Sequence, residues 1–129
     1  MTWRILIADD QKGIRKLLAE LFKRDGWEVI LAENGEEAVA KAMEFRPNMV
    51  IMDMKMPNMN GLEAAVNILT NFKDINIIMM TAYGETRIAE EALKAGIKKC
   101  INKPFDIFEL LSLVNEMAGK KSCWEQKLG

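Results

Sequence analysis

The chain has 129 residues, half of them apolar, which is enough for one domain with a single core and too few for two. Lysine and arginine number 18 against 19 aspartate and glutamate, a net charge of −1, so there is no basic excess to neutralise a phosphate backbone and direct nucleic-acid binding is not expected. Histidine is absent, which excludes a Ser-His-Asp triad, a histidine metal ligand and a phosphohistidine carried by this chain.

After Met1-Thr2-Trp3, which shows no signal-peptide pattern, the run Arg4–Ala8 reads as a first strand and leads into Asp9-Asp10. A helix is predicted over Ile14–Arg24, where Ile14, Leu17, Leu18, Leu21 and Phe22 recur at intervals of three and four, and Asp25-Gly26 closes it. Glu28–Ala32 is the second strand and Gly35–Phe45 the second helix, with Pro47 just beyond. The third strand, Met49–Met52, is continuously apolar, as a strand covered on both faces should be, and Asp53 follows it directly. Leu62–Asn71 is then helical, Ile75–Thr81 a strand, Arg87–Ala95 a helix closed by Gly96, and Lys99–Asn102 a strand running into Lys103-Pro104. Ile107–Met117 is the last helix, closed by Gly119. Residues 1–119 are read as the domain and 120–129, which lack periodicity, as a flexible or lightly docked tail in which Trp124 either binds a partner or, the favoured reading, covers an apolar edge.

No apolar run approaches the roughly 20 residues of a membrane span, so a cytoplasmic protein without a membrane partner is expected. Cys100 and Cys123 form no CxxC or Cys/His cluster, so neither zinc nor a disulfide framework is suggested. The methionines, among them Met49, Met52, Met54, Met56 and Met59, are read as core and loop packing.

Five alternations of short strand and helix predict an α/β, doubly wound, five-stranded parallel sheet. In such sheets ligands bind off the carboxyl ends of the strands. Those ends carry Asp9, Asp10, Asp53, Thr81 and Lys103, from distant positions in the sequence. Two carboxylates about 4 Å apart repel by about 4 kcal/mol at an effective dielectric of about 20, so three of them call for a counter-charge. Oxygen ligands without histidine or cysteine point to Mg²⁺, with Mn²⁺ as the other candidate. A nucleophilic carboxylate, a hard cation, an ammonium and a hydroxyl together suit the negative charge of a phosphoryl group in transfer. Taken singly, each has an ordinary explanation: Asp9-Asp10 as a helix cap, Thr81 as a strand residue, Lys103 as a surface lysine. Their coincidence at one edge is what carries information.

The segments Ile5-Leu-Ile-Ala-Asp-Asp10, Asp53-Met-Lys-Met-Pro-Asn-Met-Asn-Gly61, Met80-Thr-Ala-Tyr-Gly84 and Asn102-Lys-Pro-Phe105 resemble the response-regulator receiver domain of two-component signalling. The resemblance spans about residues 4–118 and is most similar to stand-alone sporulation phosphorelay receivers. It implies a (βα)5 flavodoxin-like fold with strand order 2-1-3-4-5. Asp53 would be the phosphoacceptor, and Asp10, Asp53 and the backbone carbonyl of Lys55 would hold Mg²⁺, with Asp9 joining mostly through water. Thr81 would bind a phosphoryl oxygen and Lys103 would pair with the phosphoryl group. A cis Lys103-Pro104 bond is also implied. So is a signalling module rather than a turnover enzyme, one that takes its phosphoryl group and slowly loses it by its own chemistry. Its partners would be a sensor histidine kinase or histidine phosphotransferase and a downstream protein target.

Two positions depart from the family pattern. Cys100 stands three residues before Lys103, where the family often has an aromatic switch residue, and Asn60 replaces a frequent aspartate. Asn60 still suits a turn. In this chain no DNA-binding or catalytic output domain is read after residue 118, so readout by protein contact is expected, the alternative being a piece cut from a longer regulator; Gln11, Lys12, Gly13, Ile14, Tyr83, Gly84, Pro104 and Phe105 are docking candidates, of which Ile14 and Phe105 could equally be core. Lys55 and Tyr83 are expected to line the approach to the acyl phosphate and slow attack by water. The competing readings are a small Mg²⁺-dependent aspartyl-phosphate phosphatase, a flavin or nucleotide module, and a receiver that binds without being phosphorylated. The phosphatase reading fits less well because a DxD pattern after the first strand is missing. A first loop carrying Asp9-Asp10 would repel a nucleotide phosphate, and a complete residue set weighs against the last.

Overall fold

Strand and helix alternate five times in the computed structural model, which describes residues 2–82 and 84–122; the expectations for Tyr83, Cys123 and Trp124 lie outside the described residues. The elements are β1 (Arg4–Ala8), α1 (Lys12–Arg24), β2 (Glu28–Ala32), α2 (Gly35–Phe45), β3 (Met49–Asp53), α3 (Gly61–Asn71), β4 (Asn76–Ala82), α4 (Thr86–Ala95), β5 (Lys99–Lys103) and α5 (Ile107–Ala118). All strand pairs are parallel and the sheet order is β2-β1-β3-β4-β5. The chain therefore winds outward from β1 in one direction and then crosses back to β3. That reversal opens a crevice at the carboxyl ends of β1 and β3.

Alternate strand residues feed two cores, which is why the inner strands read as unbroken apolar runs. Leu6, Ala8, Val50, Met52, Ile77 and Met79 pack with Ala38 and Ala42 of α2, Ala64, Ala65 and Ile68 of α3, and Ala92 of α4. Ile5, Ile7, Met49, Ile51, Ile78 and Met80 pack with Leu18 and Phe22 of α1 and with Leu110, Leu111 and Val114 of α5. The methionines serve as packing: Met49 and Met52 are fully buried, Met56 is buried, and Met54 and Met59 lie against the first core.

Glycine closes α4 and α5 as the sequence suggests, Gly96 and Gly119 both standing in the left-handed region. The second helix ends instead on a left-handed arginine, Arg46, whose guanidinium lies 5.6 Å from the centre of the Phe72 ring. Asn60 caps α3, its side chain accepting the Glu63 backbone N–H at 2.9 Å, so the replacement of aspartate keeps the cap. No helix among the described residues is long and apolar enough to cross a membrane.

Candidate functional site

The first strand delivers Asp9 and Asp10 to the crevice. Asp9 is fully buried, and its backbone N–H continues the ladder to the Ala32 carbonyl at 3.1 Å. Its Oδ1 accepts the Gln11 backbone N–H at 2.9 Å, an Asx turn that starts α1. The other oxygen, Oδ2, accepts from Lys103 Nζ at 2.7 Å. Asp10 is exposed at the rim. Asp53, the last residue of β3, is buried, and one oxygen each from Asp9, Asp10 and Asp53 lie within 4.8 Å of one another. Lys103 reaches this group from β5 at the sheet edge, its Nζ also 3.4 Å from Asp53 Oδ1, and its bond to Pro104 is cis, as the resemblance implies.

The turn after β3 is held by close backbone approach. A Cβ on Gly61 would collide with the Asp53 carbonyl oxygen, and one on Gly35 with the Met59 carbonyl oxygen, so each helix starts where a side chain would not fit. Gly61 N–H also donates to the Met54 carbonyl at 2.9 Å. The start of α3 is thereby locked to the residue that carries the central carboxylate.

Electrostatically the cluster is under-compensated. Burial, then the Asp9 charge, push the Asp53 carboxyl from 3.8 up to about 6, against the opposing pull of Lys103. Burial alone would lower the Lys103 ammonium. Its hydrogen bond to Asp9 and the charges of Asp53 and Asp9 outweigh that and raise it. One ammonium against three carboxylates leaves room for a divalent cation, and an all-oxygen donor set fits Mg²⁺ or Mn²⁺.

Asp9, Asp10, Asp53 and Lys103 are thus brought together; Thr81 directly follows Met80, the register partner of Asp53, and Lys55 stands two residues beyond Asp53. Thr81 is buried at the same rim, but its hydroxyl donates to β5, to Asn102 Oδ1 at 3.2 Å and the Ile101 carbonyl at 3.4 Å. The Lys55 side chain lines a groove with Asp10, its Nζ 3.7 Å from Glu85 Oε1. Sequence reasoning missed Glu85 and Asn102, and no spacing rule would have singled out either. At position 100 the thiol lies 3.9 Å from the Ala89 carbonyl, and burial raises its pKa, so Cys100 is a packed, protonated side chain. Among the docking candidates Gln11, Lys12, Gly13, Gly84 and Pro104 are exposed, whereas Ile14 and Phe105 pack partly against the second core.

The signature of the response regulator receiver domain matches residues 5–115. The chain belongs to the response-regulator receiver family. It is 39% identical over 122 residues to sporulation initiation phosphotransferase F of Bacillus subtilis, covering 95% of this chain and 98% of that one. It is 38% identical to the chemotaxis protein CheY of Thermotoga maritima, over 89% of this chain and 97% of that one. Among solved structures, the CheX-CheY-BeF3-Mg complex of Borrelia burgdorferi superposes with a TM-score of 0.83 at 32% identity, over 89% of this chain and 88% of that one. The receiver is thus a phosphoacceptor module of two-component and phosphorelay signalling, and these similarities do not favour the phosphatase or flavin readings.

Proposed function

We propose that Asp53 accepts a phosphoryl group from a phosphohistidine on a sensor histidine kinase or a histidine phosphotransferase. An Asp53 oxygen attacks phosphorus, the phosphorus–nitrogen bond breaks, and the electron pair returns to the partner's imidazole. The observation that carries this reading is the meeting of Asp53 with two further carboxylates and the Lys103 ammonium at one strand edge. Asp10, Asp53 and the Lys55 backbone carbonyl would hold Mg²⁺, with Asp9 joining mostly through water. Such a cation, when bound, offsets the repulsion between the cluster and the incoming phosphoryl group. Lys103, already paired with Asp9 and Asp53, would turn part of its charge to the phosphoryl oxygens. Thr81 would exchange its bond to Asn102 for one to a phosphoryl oxygen, linking the state of Asp53 to the β4–β5 edge.

Residues 1–119 form the accepting unit in this reading. The segment 120–129 is an appended tail whose first residues, Lys120 and Ser122, bond back to Asp25. Readout is by contact with a downstream protein in the cytoplasm, and the exposed residues Gln11, Lys12, Gly13 and Pro104 beside the site are the docking surface. The test is transfer from a radiolabelled phosphohistidine donor in the presence of Mg²⁺. Label should pass to the parent chain and not to Asp53→Asn; transfer to the variant would place the acceptor elsewhere.

A further inference from the structure

Glu85, at the start of α4, has no part in the roles above, yet its side chain turns inward. Its Oε2 is enclosed without a hydrogen-bond partner, the single buried side-chain oxygen or nitrogen so placed among the described residues. A carboxylate oxygen removed from water without a partner is unfavourable, so something must hold it there. Helix capping does not: the side chain makes no cap hydrogen bond to α4. The group that faces it is the Lys55 ammonium, 3.7 Å from Oε1, on a side chain that is itself 80% exposed. A lysine so exposed would otherwise sample many rotamers. Lys55 and Glu85 both line a groove of about 490 Å³, together with Met54, Met56, Ile88 and Asp10 of the acidic cluster.

We propose that Glu85 is a positioning residue, pairing with Lys55 so that the lysine chain stays over the groove beside Asp10 and hinders water from reaching a phosphoryl group on Asp53. The inference rests on Asp53 as the acceptor. In the hydrolysis it opposes, a water oxygen bonds to phosphorus and the phosphorus–oxygen bond to Asp53 breaks. Its electron pair stays on the carboxylate, and the water's proton passes to the released phosphate. Glu85 touches none of these atoms; it acts through Lys55.

The experiment is the lifetime of the labelled chain after the small-molecule donor is removed, in Mg²⁺, for the parent, Glu85→Gln, Glu85→Asp, Lys55→Ala and the Lys55→Ala/Glu85→Gln double variant. A partly exposed ion pair that biases one side chain should change the lifetime by about two- to five-fold. Glu85→Gln and Lys55→Ala should each shorten it, Glu85→Asp should recover part of the loss, and the double variant should match Lys55→Ala alone. Added salt should shorten the parent's lifetime and leave that of Glu85→Gln unchanged. An unchanged lifetime in Glu85→Gln overturns the inference, as does equal shortening by that change when Lys55 is already alanine. If the parent takes no label at Asp53, the functional reading itself fails, and the inference with it.

Discussion

Asp53 is held in a place that does not suit its charge. With burial and Asp9 raising its pKa from 3.8 to about 6, the native state takes up this proton before the unfolded chain does. The stabilising contribution of the neutral carboxyl is therefore complete below about pH 4 and is lost as pH rises through about 6. The loss is of the order of 3 kcal/mol at most. Asp53→Asn, which cannot ionise, should be more stable than the parent at pH 8 without divalent cations. The difference should close towards pH 4, and Mg²⁺ at pH 8 should narrow it by stabilising the parent. Urea unfolding at the two pH values checks this; a difference independent of pH would mean that Asp53 is not the titrating group. The same disfavoured charge suits an acceptor, because a cation bound beside Asp53 would offset the repulsion among the three carboxylates and favour the ionised form.

At the level of elements, the site depends on how closely α3 approaches the end of β3. Alanine at Gly61 would drive a methyl group into the Asp53 carbonyl, so Gly61→Ala should destabilise by about 1–3 kcal/mol or more and lower phosphoryl acceptance as well. Asn60→Ala removes only the cap to the Glu63 N–H and should cost about 1 kcal/mol, while Asn60→Asp should cost nothing measurable. Thermal melts with parallel labelling separate the two. Equal effects of Gly61→Ala and Asn60→Ala would contradict the close-approach explanation. Much of this level was legible in the sequence, because parallel strands must present their carboxyl ends at one edge, and that alone groups Asp9, Asp10, Asp53 and Lys103. The misplacements have local causes. Lys12 and Gly13 extend α1 by two residues beyond its apolar pattern, since neither carries a hydrophobic signal. Likewise β3 and β5 run on into Asp53 and Lys103, polar residues that a hydrophobic count leaves out. Thr81 and Lys55 were read for roles toward a bound phosphoryl group and its cation. Their present partners, Asn102 and Glu85, depend on rotamers and loop path, which periodicity does not encode.

Across the whole molecule, the end of the sheet opposite the site carries a second polar group that the sequence did not announce. Asp25, read only as part of a helix stop, is fully buried, accepting from Asn115 Nδ2 at 2.6 Å and from Ser122 Oγ at 2.8 Å. Asn115 in turn accepts from Trp27 Nε1 at 3.0 Å, and the Lys120 ammonium lies 3.6 Å from Asp25 Oδ2 and 5.9 Å from the Trp27 ring centre. This network joins the α1–β2 turn, α5 and the first tail residues, contacts separated by some 90 positions that no local pattern could reveal. Asp25→Ala would remove the carboxylate that accepts from Asn115 Nδ2 and Ser122 Oγ and should destabilise by about 2–4 kcal/mol. Below its melting temperature, acceptance at Asp53 should be unaffected, because the two polar groups lie at opposite ends of the strands. Chemical denaturation and labelling of the same variant check both; a loss of labelling in the folded variant would show that the two ends are coupled.

The most direct test is mass measurement of the intact chain after incubation with acetyl phosphate and Mg²⁺, followed by peptide mapping. The expected result is one added phosphoryl group on the peptide that contains Asp53, dependent on the cation and absent in Asp53→Asn. A chain that stays unmodified, or an adduct mapped to any other residue, would contradict the assignment of Asp53 as acceptor.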